Sequence, residues 1–292
     1  MMEKVKVKKE NIYSLVFFIP VIVIYGGFFI LPTIISFFFS MTVWNFTSYR
    51  WVGLKNFFDF FSEYSLRIGV SNTFIYAVLT CVLKVIMGLL FAVILTSPIR
   101  TKNFVRCIVF FPNLISTVAI GISFSALMHP SKGFFNKVLE AIGIKGVDWL
   151  GNRNTALYSV IMVDVWKGVG VATVIYIAGI LAISKDYYEV ASLDGATKWQ
   201  QFIHITFPLC RPSVNSVIIL AFIGGMRTFD LIWSMTGGGP GFATDTMASV
   251  IYKQYASGFY GLSTAGNVIM FILIAIIAFP IFKYLTSKEV EA

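Results

Sequence analysis

Five ionisable residues interrupt otherwise apolar runs: Lys84, Asp164, Lys167, Arg227 and Asp230. A charge inside hydrocarbon is costly, so such residues face a cavity or one another. Asp164 and Lys167 stand three apart, as do Arg227 and Asp230, the spacing that puts two side chains on one helix face. Two readings are open. Each pair is a structural ion pair, or the set lines a polar pocket. In a pocket, Trp166 offers a flat apolar face for stacking, and Arg227 and Thr228 offer hydrogen bonds. Counted from expected helix ends near 156 and 236, both sets lie about 12–14 Å deep at 1.5 Å per residue. Lys84 either lines the same pathway or neutralises Asp164 from a neighbouring helix. Gly224 and Gly225 leave room for a ligand or for a packed helix.

Other chemistries lack their residues. The two histidines, His129 and His204, fall in expected loops, and no H-E-x-x-H or other metal-ligand spacing exists, which argues against an intramembrane enzyme. Cys81, Cys107 and Cys210 have no Cys-x-x-Cys or Cys/His partner and read as free buried thiols. No G-x-x-x-x-G-K-[ST] string is present, so nucleotide chemistry is not performed by this chain. The net charge of +9 is spread between apolar runs rather than gathered in a stripe, which excludes nucleic acid.

One polar stretch stands out. EVASLDGATKWQQFIHITFP, residues 189–208, is set between two long apolar runs. Ser184 is placed to cap a first short helix, with Asp186 and Glu189 near its positive end. Gly195 suits the left-handed position that ends a helix. Thr197-x-x-Gln200 is a capping-box pattern that opens a second helix. Trp199, Phe202, Ile203 and Thr206 then share one face, and Pro208 and Pro212 are expected to end that helix. A helix lying in lipid headgroups would carry lysines on its polar face. This one carries Glu189, Asp194, Gln200 and Gln201 with a single Lys198, which suits a protein partner better.

The elements that must position these residues are membrane spans. Of 292 residues, 57% are hydrophobic and 13% charged, and the mean hydropathy is +0.80. Six stretches reach the roughly 20 residues needed to cross as helices: 12–41, 70–96, 104–128, 156–182, 213–236 and 262–283. The run after the basic tip MMEKVKVKKEN is too long for a signal peptide, and a retained span is expected. With the N-terminus inside, the inner segments hold 12 Lys and Arg against 8 outside. Both termini (1–11 and 286–292) and the 183–212 loop are thus expected in the cytoplasm. The outer connections 42–69, 129–155 and 237–261 are candidate lids or a docking rim. Neither an internal repeat nor a separate soluble domain is visible, so 12–285 is read as one transmembrane domain.

Ordered motifs add a family resemblance. Glu189-Val190-Ala191, Asp194-Gly195-Ala196, Ile205 and Phe207-Pro208 resemble the EAA loop of ABC importer permeases. VGLKNF (52–57), FFPNLIS (110–116), VWKGVG (165–170) and SMTGGGP (234–240) resemble further segments of the branch that imports oligosaccharides and glycerol phosphate. Val190 stands where the family has an alanine, and Phe207 where it has a leucine.

The resemblance implies an all-α integral membrane fold, with the six spans of a type I importer permease and cytoplasmic coupling helices. It implies that Glu189, Ala191, Asp194, Gly195, Ala196, Phe202 and Pro208 dock a separate ATPase, Glu189 by a charge-assisted bond to a basic residue. Substrate contacts in related sugar permeases match Asn113, Thr117, Trp166, Lys167, Gly168, Gly225, Arg227 and Thr228, and Asp230 joins them as a pathway candidate. No cofactor is expected in this chain, since ATP and Mg belong to the ATPase. Implied partners are a second permease, two copies of the ATPase, an extracellular solute-binding protein, membrane lipid and a carbohydrate, moved by alternating access. An acidic sugar or glycerol phosphate is the alternative cargo, because Lys167 and Arg227 are cations. An ion-driven secondary transporter is the remote alternative, and it leaves the acidic hairpin without a role.

Overall fold

The computed structural model describes residues 15–287, with side chains from residue 17. Lys4, Lys6, Lys8 and Lys9 of the basic tip, and Lys288 of the tail, lie outside the described residues. After a single turn at Leu15–Phe18, helix α1 (Ile19–Ser40) runs through a wider π-type stretch at Gly26–Ile30. Two short antiparallel strands follow, β1 (Thr42–Trp44) and β2 (Tyr49–Trp51), with Val43 opposite Arg50. Then come α2 (Lys55–Ser62), α3 (Tyr64–Thr96), α4 (Lys102–Leu114), α5 (Thr117–Leu127), α6 (Phe134–Ala141) and α7 (Ala156–Leu181). The polar loop forms α8 (Lys185–Leu193) and α9 (Lys198–Leu209). Last are α10 (Arg211–Met226), α11 (Asp230–Thr236), α12 (Met247–Ala256) and α13 (Tyr260–Thr286).

Helices α1, α3, α7 and α13 are each long and apolar enough to cross a membrane alone. At 33 residues, α3 measures about 50 Å, more than the roughly 30 Å of hydrocarbon, so it tilts or protrudes. It is also the axis of packing. With α5, α7 and α11 it encloses Tyr76, Ile120, Val160, Val163, Leu231 and Ile232. With α7 and α10 it encloses Ala92, Leu95, Ala172, Tyr176 and Val217. Small residues permit these contacts, since lipid gives apolar helices little reason to associate and close packing must do so. A Cβ on Gly88 would lie 2.7 Å from that of Ala172.

Two of the six expected spans are not single helices. The third bends by 98° between α4 and α5, because Ile115 and Ser116 take extended backbone and end the hydrogen-bond ladder two residues after Pro112. The fifth is interrupted at Arg227–Phe229, leaving α10 at 16 residues, about 24 Å. Such a break is tolerated only where the freed backbone finds partners. Thr246 supplies one, donating to the Thr228 carbonyl at 3.1 Å. If each bent pair counts as one span, there are six, the fifth then being Lys198–Leu209 with Arg211–Met226, which meet at 66°.

Other expectations also change. The 42–69 connection contains the short β1–β2 ribbon and α2 within an otherwise helical chain. Cys81 and Cys210 are buried, but Cys107 is exposed on α4. His204 sits in a π-type helical turn within α9 rather than in a loop.

Candidate functional site

The polar loop is built almost wholly by local hydrogen bonds. The Ser184 hydroxyl accepts from the Asp186 N–H at 3.3 Å and opens α8. At its end the Ala196 N–H reaches the Ala191 carbonyl at 2.9 Å and the Gly195 N–H reaches Ser192, with Gly195 at φ 77°. That is a Schellman ending, and it requires a left-handed residue that glycine adopts without strain. Thr197 and Gln200 cap α9 reciprocally: the Gln200 side chain accepts from the Thr197 N–H at 2.7 Å, and Thr197 accepts from the Gln200 N–H at 3.3 Å.

Two cross-links make the helices one body. The buried Gln201 amide donates to the Ser192 hydroxyl at 2.9 Å, and the Tyr188 and Thr206 hydroxyls bond at 3.0 Å. Ala191, Asp194, Gly195, Ala196, Gln200 and His204 border a shallow groove of about 380 Å³. Glu189 is exposed on α8, outside the groove lining, and has no ion-pair partner among the described residues. Phe202 stacks on Trp199 at 5.6 Å. Pro208 does not end the helix as expected. The ladder widens into a π-type turn at Phe202–Thr206 and resumes at Phe207–Leu209, where Pro208 sits in a first turn that needs no N–H from it. The bend into α10 comes at Cys210.

The intramembrane charges pair differently from their sequence spacing. Lys84 on α3 meets Asp164 on α7 at 2.6 Å, with side chains 13% and 21% exposed. Asp164 is therefore matched across helices and not by Lys167. Arg227 ends α10 and Asp230 begins α11, so the irregular backbone between them removes their common face, and no ion pair joins them. Gly168 lies directly under Lys84: a Cβ there would be 2.8 Å from the ammonium. Below the pair, Lys84, Gly168, Ile175, Val217 and Leu220 line a cavity of about 170 Å³.

Tyr76 is fully buried, and its hydroxyl lies in the surroundings of Asp164 and Thr228 without a hydrogen bond of ordinary geometry. Trp166 is exposed beside this centre and packs on Phe124 at 5.1 Å. Asn113 and Thr117 are half-buried on either side of the α4–α5 bend. Gly225 is buried against α3, where a Cβ would come within 2.7 Å of Ala77, which makes it a helix-packing position.

An exposed, rigid, acidic hairpin fused to a broken membrane helix fits a chain moved by another protein. The family model described as "Binding-protein-dependent transport system inner membrane component" matches residues 84–289, most of the chain. The chain belongs to this family of importer permeases. The trehalose/maltose transport system permease protein MalF of Thermococcus litoralis is 33% identical over 262 residues, 88% of each chain. The probable starch degradation products transport system permease protein AmyD of Thermoanaerobacterium thermosulfurigenes is 31% identical and covered along its whole length, as is this chain. Among solved structures, a chain of a bacterial ABC transporter that imports the acidic polysaccharide alginate superposes with a TM-score of 0.82. That match covers 93% of this chain and 94% of the other at 23% identity, so it establishes the fold, that of a type I importer permease. The permease is a transport subunit and not an enzyme, and ATP is hydrolysed by a separate subunit.

The permease also contains a clamp that sequence spacing does not announce. After α11, the Asp245 carboxylate is fully buried and accepts from Lys253 at 2.7 Å and from Ser249 at 2.7 Å. Gly238, at φ 92°, packs directly on that carboxylate and leaves no room for a side chain. Asn72 on α3 donates to the carbonyls of Ala243 and Asp245 at 3.0 and 2.9 Å. The SMTGGGP segment is thereby held rigidly over the broken span. The glycine run in the sequence signals a turn, but nothing local signals a partner 170 residues away.

Proposed function

We propose that this chain is one of two permease subunits of an ATP-driven importer that moves a carbohydrate, an oligosaccharide, into the cytoplasm by alternating access. The capped α8–α9 hairpin carries the reading: it is a stiff acidic element that runs straight into α10, in a chain with no nucleotide-binding loop of its own. Closure of a docked ATPase would move α10 as a lever and rock the spans as rigid bodies. The relatives' names support a sugar cargo. In this reading the hairpin and both termini face the cytoplasm, two copies of the ATPase hold ATP and Mg, and a solute-binding protein delivers cargo from outside. Glu189, Ala191, Asp194, Gly195, Ala196, Phe202 and Pro208 form or support the dock. Asn113, Thr117, Trp166, Lys167, Gly168, Arg227, Thr228 and Asp230 belong to the pathway, with Gly225 seating its helix. Co-purification tests it. Glu189→Arg is expected to strip the ATPase from the complex, and uptake driven by an ion gradient without ATP would refute the proposal.

A second reading, an acidic cargo, gains from one observation. Asp164 is taken up by Lys84, and among the described residues Lys167 and Arg227 have no carboxylate within ion-pair distance. Arg227→Glu should then depress uptake of alginate oligosaccharides far more than uptake of maltodextrins. Equal loss of both would discard the acidic cargo.

A further inference from the structure

A chain of aromatic rings leads from the broken span to the β1–β2 ribbon. At its inner end Phe229 lies 5.0 Å from Tyr252 and stacks on Trp233 at 5.7 Å, and Trp233 meets Tyr252 at 4.8 Å. At its outer end Tyr255 lies 5.3 Å from Tyr260, which lies 4.4 Å from Phe46, and Phe46 touches Trp44 at 4.7 Å. The two groups are joined by a groove of about 250 Å³ lined by Phe229, Tyr252, Tyr255, Ser263 and Asn267. Trp233, Tyr252, Tyr255 and Phe46 are 39%, 40%, 50% and 64% exposed, so part of each ring remains accessible.

The polar atoms along the groove are unspent. Among the described residues, no hydrogen bond reaches the hydroxyls of Tyr252 or Tyr255, or the amide of Asn267, while Ser263 is satisfied by the Ile251 carbonyl at 3.0 Å. Asn267 is exposed, seven residues and about 10 Å along α13 from Tyr260. An amide at that depth is costly against lipid. Headgroup-level aromatic anchoring accounts for rings at a membrane surface, but not for a free amide below them or for ring contacts that continue into the span.

We infer that this face is a stacking track for pyranose rings, a ramp along which a linear oligosaccharide passes from the outer mouth to the site beside Thr228 and Arg227. A pyranose presents an apolar C–H face rimmed by hydroxyls, and the track presents ring faces beside free hydroxyl and amide groups. Each contact is weak and tolerant of sequence, which suits a chain that must slide. Continuity with Phe229, the neighbour of Thr228, ties the track to the pathway, so the inference rests on the carbohydrate reading above.

The test uses the assembled importer with its ATPase and binding protein in proteoliposomes, and two probe series, maltodextrins and alginate oligosaccharides of increasing length. Tyr252→Ala and Asn267→Leu are expected to raise KM by about threefold to tenfold for the longest probe taken up. The shortest should change by less than about twofold, and kcat should hold. Tyr252→Phe should fall between, and Phe279→Ala, exposed further along α13, should change nothing. Equal KM changes at every length, or a change in kcat alone, would overturn the track and leave the carbohydrate reading standing. Loss of the second permease from Tyr255→Ala preparations would also overturn it, by showing that a subunit covers this face. Failure of the unmodified importer to take up either series would remove the carbohydrate reading and the track together.

Discussion

The two polar regions of this permease are stabilised in opposite ways. In the α8–α9 hairpin every cap lies within a few residues of the group it satisfies, and Glu189 is left exposed with no ion pair among the described residues. In the membrane-spanning part the decisive partners, Lys84 and Asp164, are 80 residues apart and part-buried between helices. An exposed region can leave a charge unpaired because water solvates it, and that free charge is then available to a partner. A region in hydrocarbon cannot, so pairing there is a condition of folding. Function concentrates where the fold can spare a polar group, and the two ends of the molecule spare different ones.

That contrast is broken most forcefully at Lys84. Lys84→Met should leave Asp164 without its partner in a part-buried site, at a cost below the roughly 3–5 kcal/mol of splitting a fully buried pair. Thermal unfolding of the purified complex measures this, and Lys84→Met with Asp164→Leu should recover most of the loss. If the single variant unfolds like the parent, the pair is not what holds α3 to α7. Gly168→Ala probes the same pair less severely. Its new methyl would stand 2.6 Å from the Lys84 Cε, displacing a flexible side chain at a cost of about 1–3 kcal/mol. In the double-neutralised background the penalty should shrink, and an unchanged penalty would assign it to helix packing alone.

The same contrast explains what could be read from the chain beforehand. The caps of the hairpin were legible to the residue, in Ser184, Gly195 and the Thr197–Gln200 box, because capping is a local code. The run lengths of α7 and α13 were legible for the same reason, since hydropathy is a property of a window. The open or misplaced expectations are those where a distant group decides. Spacing alone leaves Asp164 open to Lys167 or to Lys84 of a neighbouring helix, and only the crossing of α3 and α7 decides for Lys84. An apolar run interrupted only by Arg227 and Asp230 suggests a continuous fifth span, but Thr246 captures the Thr228 carbonyl and lets the helix stop. Pro208 reads as a terminator until the π-type turn before it relieves the ring of its clash with the preceding turn.

At the hairpin, Thr197→Ala should cost about 1 kcal/mol by unmaking the reciprocal cap. Because α9 continues into α10, the loss should appear as faster amide exchange at 198–202 while the global unfolding midpoint barely moves. Uniformly unchanged exchange would show that the Gln201 and Tyr188 cross-links hold the hairpin without its cap.

Glu189→Arg completes the comparison from the opposite side. Its carboxylate is exposed and makes no ion pair among the described residues, so the permease alone should unfold at the same midpoint as the parent. ATPase co-purification should nevertheless be lost, because a like charge now faces the basic group that Glu189 would meet. A shared loss of midpoint and assembly would make Glu189 a structural residue, and the hairpin would then resemble the membrane centre rather than oppose it. Retained assembly at an unchanged midpoint would move the docking contact to the exposed apolar rim of Tyr187, Val190 and Leu193, where burial and not charge would set the affinity.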